Sequence, residues 1–285
     1  MTPTQLRRAV RTATTAVALA ASAAVALAAA PSALAATQHA HAGNVTAAFS
    51  YQGAMMNPRH ERLRITRAGH LAYDQPVHSQ FCGSTCWPGA SGSLHVLDLE
   101  HNGRPDVVLD LFSGGAHCCF IEQVFSYDSH RHTYVKTERN FWDPGATIVD
   151  LGHNGRYEFR SADDSFAYEF TAFAASGMPI QIFTFSNHRF HNVTRHYPAL
   201  IARDAAAWMA AFQQQAHSGY QATTGIVAAW AADEDMLGHS AQVSAFLSAQ
   251  ARAGHLNSGT GGVLPSGSRY VRALQKFLHK HGYAP

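Results

Sequence analysis

Charge is what this chain has least of. Of its 285 residues only 14% are Asp, Glu, Lys or Arg, basic and acidic side chains number 21 and 19, and lysine is scarce. No basic run is longer than Arg131-His132 or His279-Lys280-His281. A nucleic-acid partner needs a basic face or stripe, so DNA and RNA are excluded as partners. The compact catalytic signatures are missing too: no G-x-S-x-G, no H-E-x-x-H, no redox C-x-x-C, and an acidic pair, Asp163-Asp164, without the spacing of a glycosidase dyad. Catalysis would have to come from dispersed side chains. A secreted hydrolase of that kind is the alternative function, and it requires residues such as Asp98, His117, Asp163 and His188 to converge.

The N-terminus has the form of an export signal. Arg7, Arg8 and Arg11 precede the apolar, Ala-rich stretch Thr12–Ala30, and Ser32-Ala33-Leu34-Ala35 offers an A-x-A cleavage site. Residues 1–35 are therefore read as a signal peptide, leaving no membrane span in the mature chain. Removing those three arginines leaves 18 basic against 19 acidic residues. About 250 residues suffice for one large domain or two small ones, and residues 36–43 read as a polar, disordered lead-in.

From residue 44 to 197 the pattern is β-type. Short runs such as Val45–Tyr51, Arg62–Arg67, Asp106–Phe112, Cys119–Tyr127, Phe166–Phe173 and Ile180–Ser186 are broken by Gly, Pro, Asn and Asp. From residue 198 to 285 it is helical: Ile201, Ala205, Trp208, Met209 and Phe212 fall at helical spacing, and helices are expected over Ala222–Met236, Ser240–Ala253 and Ser268–His281, with Leu256–Ser266 a flexible connector. The expected fold is α+β, an antiparallel meander or propeller-like set of units followed by a helical region.

An internal repeat organises the β region. Val96–Val108 aligns with Ile148–Arg160 through Asp-Leu-x-His-Asn-Gly-Arg-x-acid, and Asp98 and Asp150 are 52 residues apart. A third, degenerate unit over Asn44–Val77 is a further expectation. In the first copy, oxygen-bearing side chains at 98, 100 and 102, a glycine at 103 and a second acid at 106 are what a hard cation requires of a short loop. The other reading is a plain Asn-Gly turn in which the aspartates cap backbone amides.

These residues, with Phe112-Ser-Gly114-Gly115-Ala116, resemble the FG-GAP/VCBS-type repeats of integrin-like β-propellers over roughly Leu94–Phe190. The resemblance implies calcium, with Asp98, Glu100, Asn102 and Asp106 as side-chain ligands and Arg104 as a carbonyl ligand. In the second copy Gly152 replaces an acid, leaving Asp150, Asn154 and Glu158. The last helix is similar over about fifteen residues, Tyr270 to Tyr283, to the opening of peptidoglycan-binding repeats, but the chain ends before the rest of that module. An amphipathic packing helix accounts for the same pattern.

Four cysteines in an exported chain most economically make two disulfides. Neighbours on a strand face opposite ways, so Cys118 and Cys119 are expected to reach Cys82 and Cys86 separately. A zinc site from these four with His117 is the alternative. The 19 histidines lack ligand spacing and read as solvated loop residues. The expectation from sequence is a secreted, non-catalytic binding or structural module of the extracellular space or cell envelope, calcium-stabilised at the first loop, whose partner is an extracellular protein or a cell-wall glycan.

Overall fold

The computed structural model describes residues 35–83, 85–89, 93–218 and 222–285. The signal read over residues 1–35 thus lies outside the described residues, apart from Ala35. Three antiparallel sheets follow one another along the chain. The first is β1 (Ala35–Ala42), β2 (Val45–Gln52), β3 (Arg59–Arg67) and β4 (His70–Pro76), in chain order. The second holds β5 (Trp87–Pro88), β7 (Asp106–Gly115), β8 (Cys118–Asp128) and β9 (Thr133–Trp142) in that order, with β6 (Leu94–Leu97) also on β7. The third is β10 (Thr147–Val149), β11 (Glu158–Ala162), β12 (Ile180–Ser186) and β13 (Arg189–Asn192). Four helices complete the α+β fold: α1 (Pro198–Ser218), α2 (Thr224–Met236), α3 (Ser240–Ala253) and α4 (Gly267–Lys280). Strands and helices belong to one contact unit.

The second sheet is apolar on both faces. Val107, Leu109, Leu111, Ile121 and Phe125 pack with Val45, Phe49, Leu63 and Ile65 of the first sheet. On the other face Val108, Val124 and Phe141 meet Phe159, Phe183 and Phe185 of the third. This double burial is why Asp106–Phe112 reads as a continuous apolar run and not as an alternating one. A separate helical core gathers around α2, which is buried from Thr224 to Asp233. Its run of alanines lets α1, α3 and α4 approach closely. Phe166 and Phe170, from the loop after β11, enter the same core and join helices to sheet. Thr224 Oγ1 donates to the Phe170 carbonyl and the Tyr270 hydroxyl to the Thr224 carbonyl, each at 2.7 Å.

Several expectations are corrected. Residues 36–43 are not a disordered lead-in but most of β1, paired with β2 throughout. The strand is polar because His39 and His41 face outward, while small Ala40 and Ala42 pack inward. Phe166–Phe173 is no strand: it begins and ends in short 3-10 turns, and Phe166 and Phe170 belong to the helical core. Leu256–Ser266 is tied down, with Leu256 and Ser258 buried and Ser258 Oγ bonded to Thr260 Oγ1 at 2.8 Å. The strands β1, β4, β5 and β13 were not legible in the sequence pattern.

The cysteine pairing also differs from expectation. Cys82 bridges Cys86, and Cys118 bridges Cys119. The four-residue loop brings the Cys82 and Cys86 Cα atoms to 5.3 Å, within the ordinary bridging range. Cys118 and Cys119 are the first two residues of β8, directly after the Ala116-His117 turn and beside a register irregularity in the β7–β8 pairing.

Candidate functional site

The two copies of the repeat connect β6 to β7 and β10 to β11, the same place in successive sheets, and their backbones fold alike. Asp98 accepts N–H bonds from Asn102 at 2.9 Å and Gly103 at 2.7 Å, and Asn102 Oδ1 accepts one from Arg104 at 2.9 Å. Asp150 accepts from Asn154 at 3.0 Å and Gly155 at 2.9 Å, and Asn154 Oδ1 from Arg156 at 3.0 Å. In both loops, then, the aspartate satisfies turn amides that strand pairing leaves free. The loops also touch, through the Tyr157 amide bonded to the Leu99 carbonyl at 3.2 Å. Gly155, at φ +80°, lies so close to the other loop that a Cβ there would stand 2.5 Å from His101 Nδ1.

Of the five residues assigned to calcium by resemblance, Asp98 and Asn102 thus serve backbone amides, and the Arg104 amide is one of them. Asp106 is buried; burial first, then the charges of Glu100 and Asp98, push its carboxyl up to about 8. Its counterpart Glu158 is also buried and accepts the Leu151 amide at 3.0 Å. Among the described residues no three of His, Cys, Asp and Glu are arranged to hold a metal ion.

The dispersed set Asp98, His117, Asp163 and His188 is divided. His117 stacks on Phe173 with ring centroids 3.9 Å apart, and His188 Nδ1 meets Ser126 Oγ at 2.5 Å. Only Asp163 lines the cleft between β9, the loop after β11 and the C-terminal turn. That cleft has two lobes of about 350 and 300 Å³ sharing Asp163 and Gln181. Asp163 is fixed by its loop and by the chain end. Its amide donates to the Pro179 carbonyl, its Oδ1 accepts from the Ser165 amide, and its Oδ2 accepts from the Tyr283 hydroxyl at 2.6 Å. Arg195 holds the far wall by donating to the carbonyls of Met236, Gly282 and Tyr283 at 2.9, 2.9 and 3.0 Å.

The smaller lobe is the more chemical. Arg139, from β9, lies over the Phe183 ring at 3.8 Å, a cation–π contact that fixes the guanidinium plane. Burial lowers its pKa, with the Asp163 charge opposing. Arg139 Nε and Asp164 Oδ1 are both shut off from solvent with no hydrogen-bond partner. Burial, opposed by a backbone hydrogen bond from Asp143 and reinforced by the charges of Asp143 and Asp163, raises the Asp164 pKa. At the rim stands Trp142, 49% exposed, its amide bonded to Asn140 Oδ1 at 2.8 Å. Unpartnered polar atoms in a concave site beside an exposed aromatic are the usual composition of a ligand site.

Two acid pairs were invisible to sequence reasoning because their members lie far apart in the chain or on different strands. Asp204, on α1, accepts the Ile180 amide and the Trp208 indole N–H, each at 3.0 Å, and faces fully buried Asp233 on α2. Burial and then the Asp204 charge push the Asp233 carboxyl up to about 10. Asp110 and Glu122 oppose each other across β7 and β8, with His95 Nε2 3.3 Å from Asp110. Burial, then the Asp110 charge, raises the Glu122 pKa. Of the cleft residues Asp163 and Asp164 drew notice in the sequence, and Tyr283 as the end of the last helix's pattern; Arg139 and Trp142 gave no local signal.

No family model matches this chain, and no solved structure matches it. Two curated proteins do. Over 103 residues, 35% of this chain, it is 29% identical to the "Probable thylakoid lumen protein" of Synechocystis sp.. Over 192 residues, 65% of this chain, it is 21% identical to an uncharacterized protein of Sinorhizobium fredii. The chain spans 30% and 29% of the length of these two relatives. Among the described residues no helix is long and apolar enough to cross a membrane.

Proposed function

We propose that this is an exported, non-catalytic binding module of the extracellular space or cell envelope, and that it binds through the cleft between β9, the loop after β11 and the C-terminal turn. The observation that carries the reading is the convergence of Arg139, Asp163, Asp164 and Gln181 in one lobe beside the half-exposed indole of Trp142. Export is supported by the N-terminal signal pattern, by the two disulfides, which belong to oxidising compartments, and by the lumenal description of one relative. The separation of Asp98, His117 and His188 from the cleft weighs against the dispersed hydrolase. An extracellular protein and a cell-wall glycan are the two partner classes.

The test is a map of backbone amide resonances of the exported chain during titration with purified peptidoglycan fragments, neutral oligosaccharides and envelope-derived peptides. Shifts confined to Arg139–Trp142 and Asp163–Ser165 support the reading. Saturating shifts elsewhere, or none, overturn it.

Calcium at Asp98, Glu100, Asn102, Arg104 and Asp106 is a separate proposal of ours, on narrower ground. A cation there would relieve the crowding of three carboxyl groups in one loop. Melting with chelator and with added calcium tests it, and an unchanged midpoint removes it.

A further inference from the structure

Seven large hydrophobic side chains stand exposed among the described residues, and the three aromatic ones are Phe120, Trp142 and Tyr168. All three belong to one end of the molecule. Phe120 and Trp142 are directly opposed across β8 and β9. Phe120 continues inward to Phe112 and Trp87, with ring centroids 4.8 and 5.8 Å apart, so four aromatic residues form one cross-strand row. Gly145 lies flat on the Phe120 ring, where a Cβ would come within 3.3 Å. Tyr168 packs edge-on toward His117, at the tip of the β7–β8 hairpin, and toward Phe173 at 5.2 Å.

Trp142 and Tyr168 share a second property. Their φ angles are +55° and +61°, the left-handed region that bulky side chains avoid. Each large ring is therefore held in an unfavourable backbone conformation while leaving about half its surface in water. Strain of this kind is retained where the surroundings over-determine it, as at ligand clamps. Next to Trp142 the cleft offers donors and acceptors together: the Arg139 guanidinium, the Gln181 amide and the Asp164 carboxyl. Asp143, Asp163 and Asp164 outnumber Arg139 there, which disfavours an anionic ligand.

We propose that this lobe binds a neutral saccharide chain, one sugar ring lying on Trp142 with its hydroxyls bridging Arg139, Asp164 and Gln181, and the chain continuing past Phe120 or Tyr168. The proposal rests on the cleft being the binding site. A sugar hydroxyl both donates and accepts, so it satisfies the guanidinium and the carboxyl at once. The C–H face of a pyranose is apolar and carries partial positive charge, which suits the electron-rich face of an indole. Carboxylate-bearing or phosphorylated chains do not fit that charge, and a peptide would leave the arrangement of flat exposed rings unused.

The experiment titrates the exported chain with cello-oligosaccharides and N-acetylglucosamine oligomers of one to six units, following tryptophan fluorescence and calorimetric heat. Affinity is expected to rise with length over the first few units. Trp142→Ala should weaken binding of the longest oligomer about tenfold, Trp142→Phe should recover part of that loss, and Tyr168→Ala should weaken it less. Met56→Ala, at an exposed site on the β2–β3 turn, should change nothing. Binding by Trp142→Ala equal to wild type, or binding without length dependence, overturns the proposal. If no saccharide binds while an envelope peptide shifts the cleft resonances, the saccharide falls and the cleft stands. If neither probe reaches the cleft, both readings fall.

Discussion

The loops at Asp98 and Asp150 share a backbone and differ in charge. Each aspartate caps the amides four and five residues on, and each asparagine caps the amide two residues on. The repeated motif thus encodes a turn. What varies is outside the capping set: Glu100 against Gly152, and Asp106 against Glu158. The first copy holds three acids, two of them near the buried Asp106 carboxyl, and the second holds two. The lesson is that Asp-Leu-x-His-Asn-Gly-Arg is conserved between copies for its hydrogen bonds, while any ion-binding potential lies in residues that the two copies do not share.

Four experiments probe this comparison. The largest effect is expected from pH. Asp106 moves from an ordinary value of 3.8 to about 8 on folding, so the folded chain holds a proton that the unfolded chain releases. The contribution of Asp106 to stability is full below about pH 4 and is lost as pH rises toward 8, by up to about 5 kcal/mol. Asp106→Asn should flatten that decline in urea titrations across this window. Glu158→Gln is the comparison, and a greater flattening there would reverse the assignment of the effect to the first loop.

Next come the glycines. Gly155→Ala faces both a left-handed backbone and the His101 ring, whereas Gly103, at φ +76°, has nothing within 4 Å. Gly155→Ala should cost about 3 kcal/mol and Gly103→Ala about 1. Equal losses in thermal melts would mean that the two loops do not press on each other. Asp98→Ala and Asp150→Ala each remove two amide bonds to a carboxylate and should cost about 2 kcal/mol apiece, Asp→Asn about half as much. A markedly larger loss at Asp98, present only with calcium added, would separate the copies and support the ion. The smallest expected effect is that of chelator on the wild-type midpoint, a shift of about 2 °C or less if the first loop alone binds calcium.

Much of the fold was legible. Alternating runs located most of the longer strands, and helical spacing placed all four helices, α3 to the residue. The repeat gave the hairpin that opens the second and third sheets. The pattern failed where tertiary context overrode it. Phe166, Phe170 and Phe173 have the look of a strand, yet two of them face a helical core and the segment turns. The strand β1 carries histidines on its exposed side and alanines on the other, so nothing in its hydrophobicity marks it as sheet. The cysteines pair with near neighbours in sequence, Cys82 with Cys86 in the loop before β5 and Cys118 with Cys119 at the start of β8.

The cleft was the least legible part. Arg139, Trp142, Asp163, Gln181 and Tyr283 are spread over more than half of the described chain and meet only because the third sheet, the loop after β11 and the last turn come together. By itself the sequence determined the class of fold, the order of sheet and helix, the export pattern and the capped turns, since these depend on near neighbours and on periodic burial. Tertiary structure alone decided which carboxyls pair, which rings stay in water and where the cleft forms. Those depend on desolvation and on distances between residues remote in sequence, which no local pattern records.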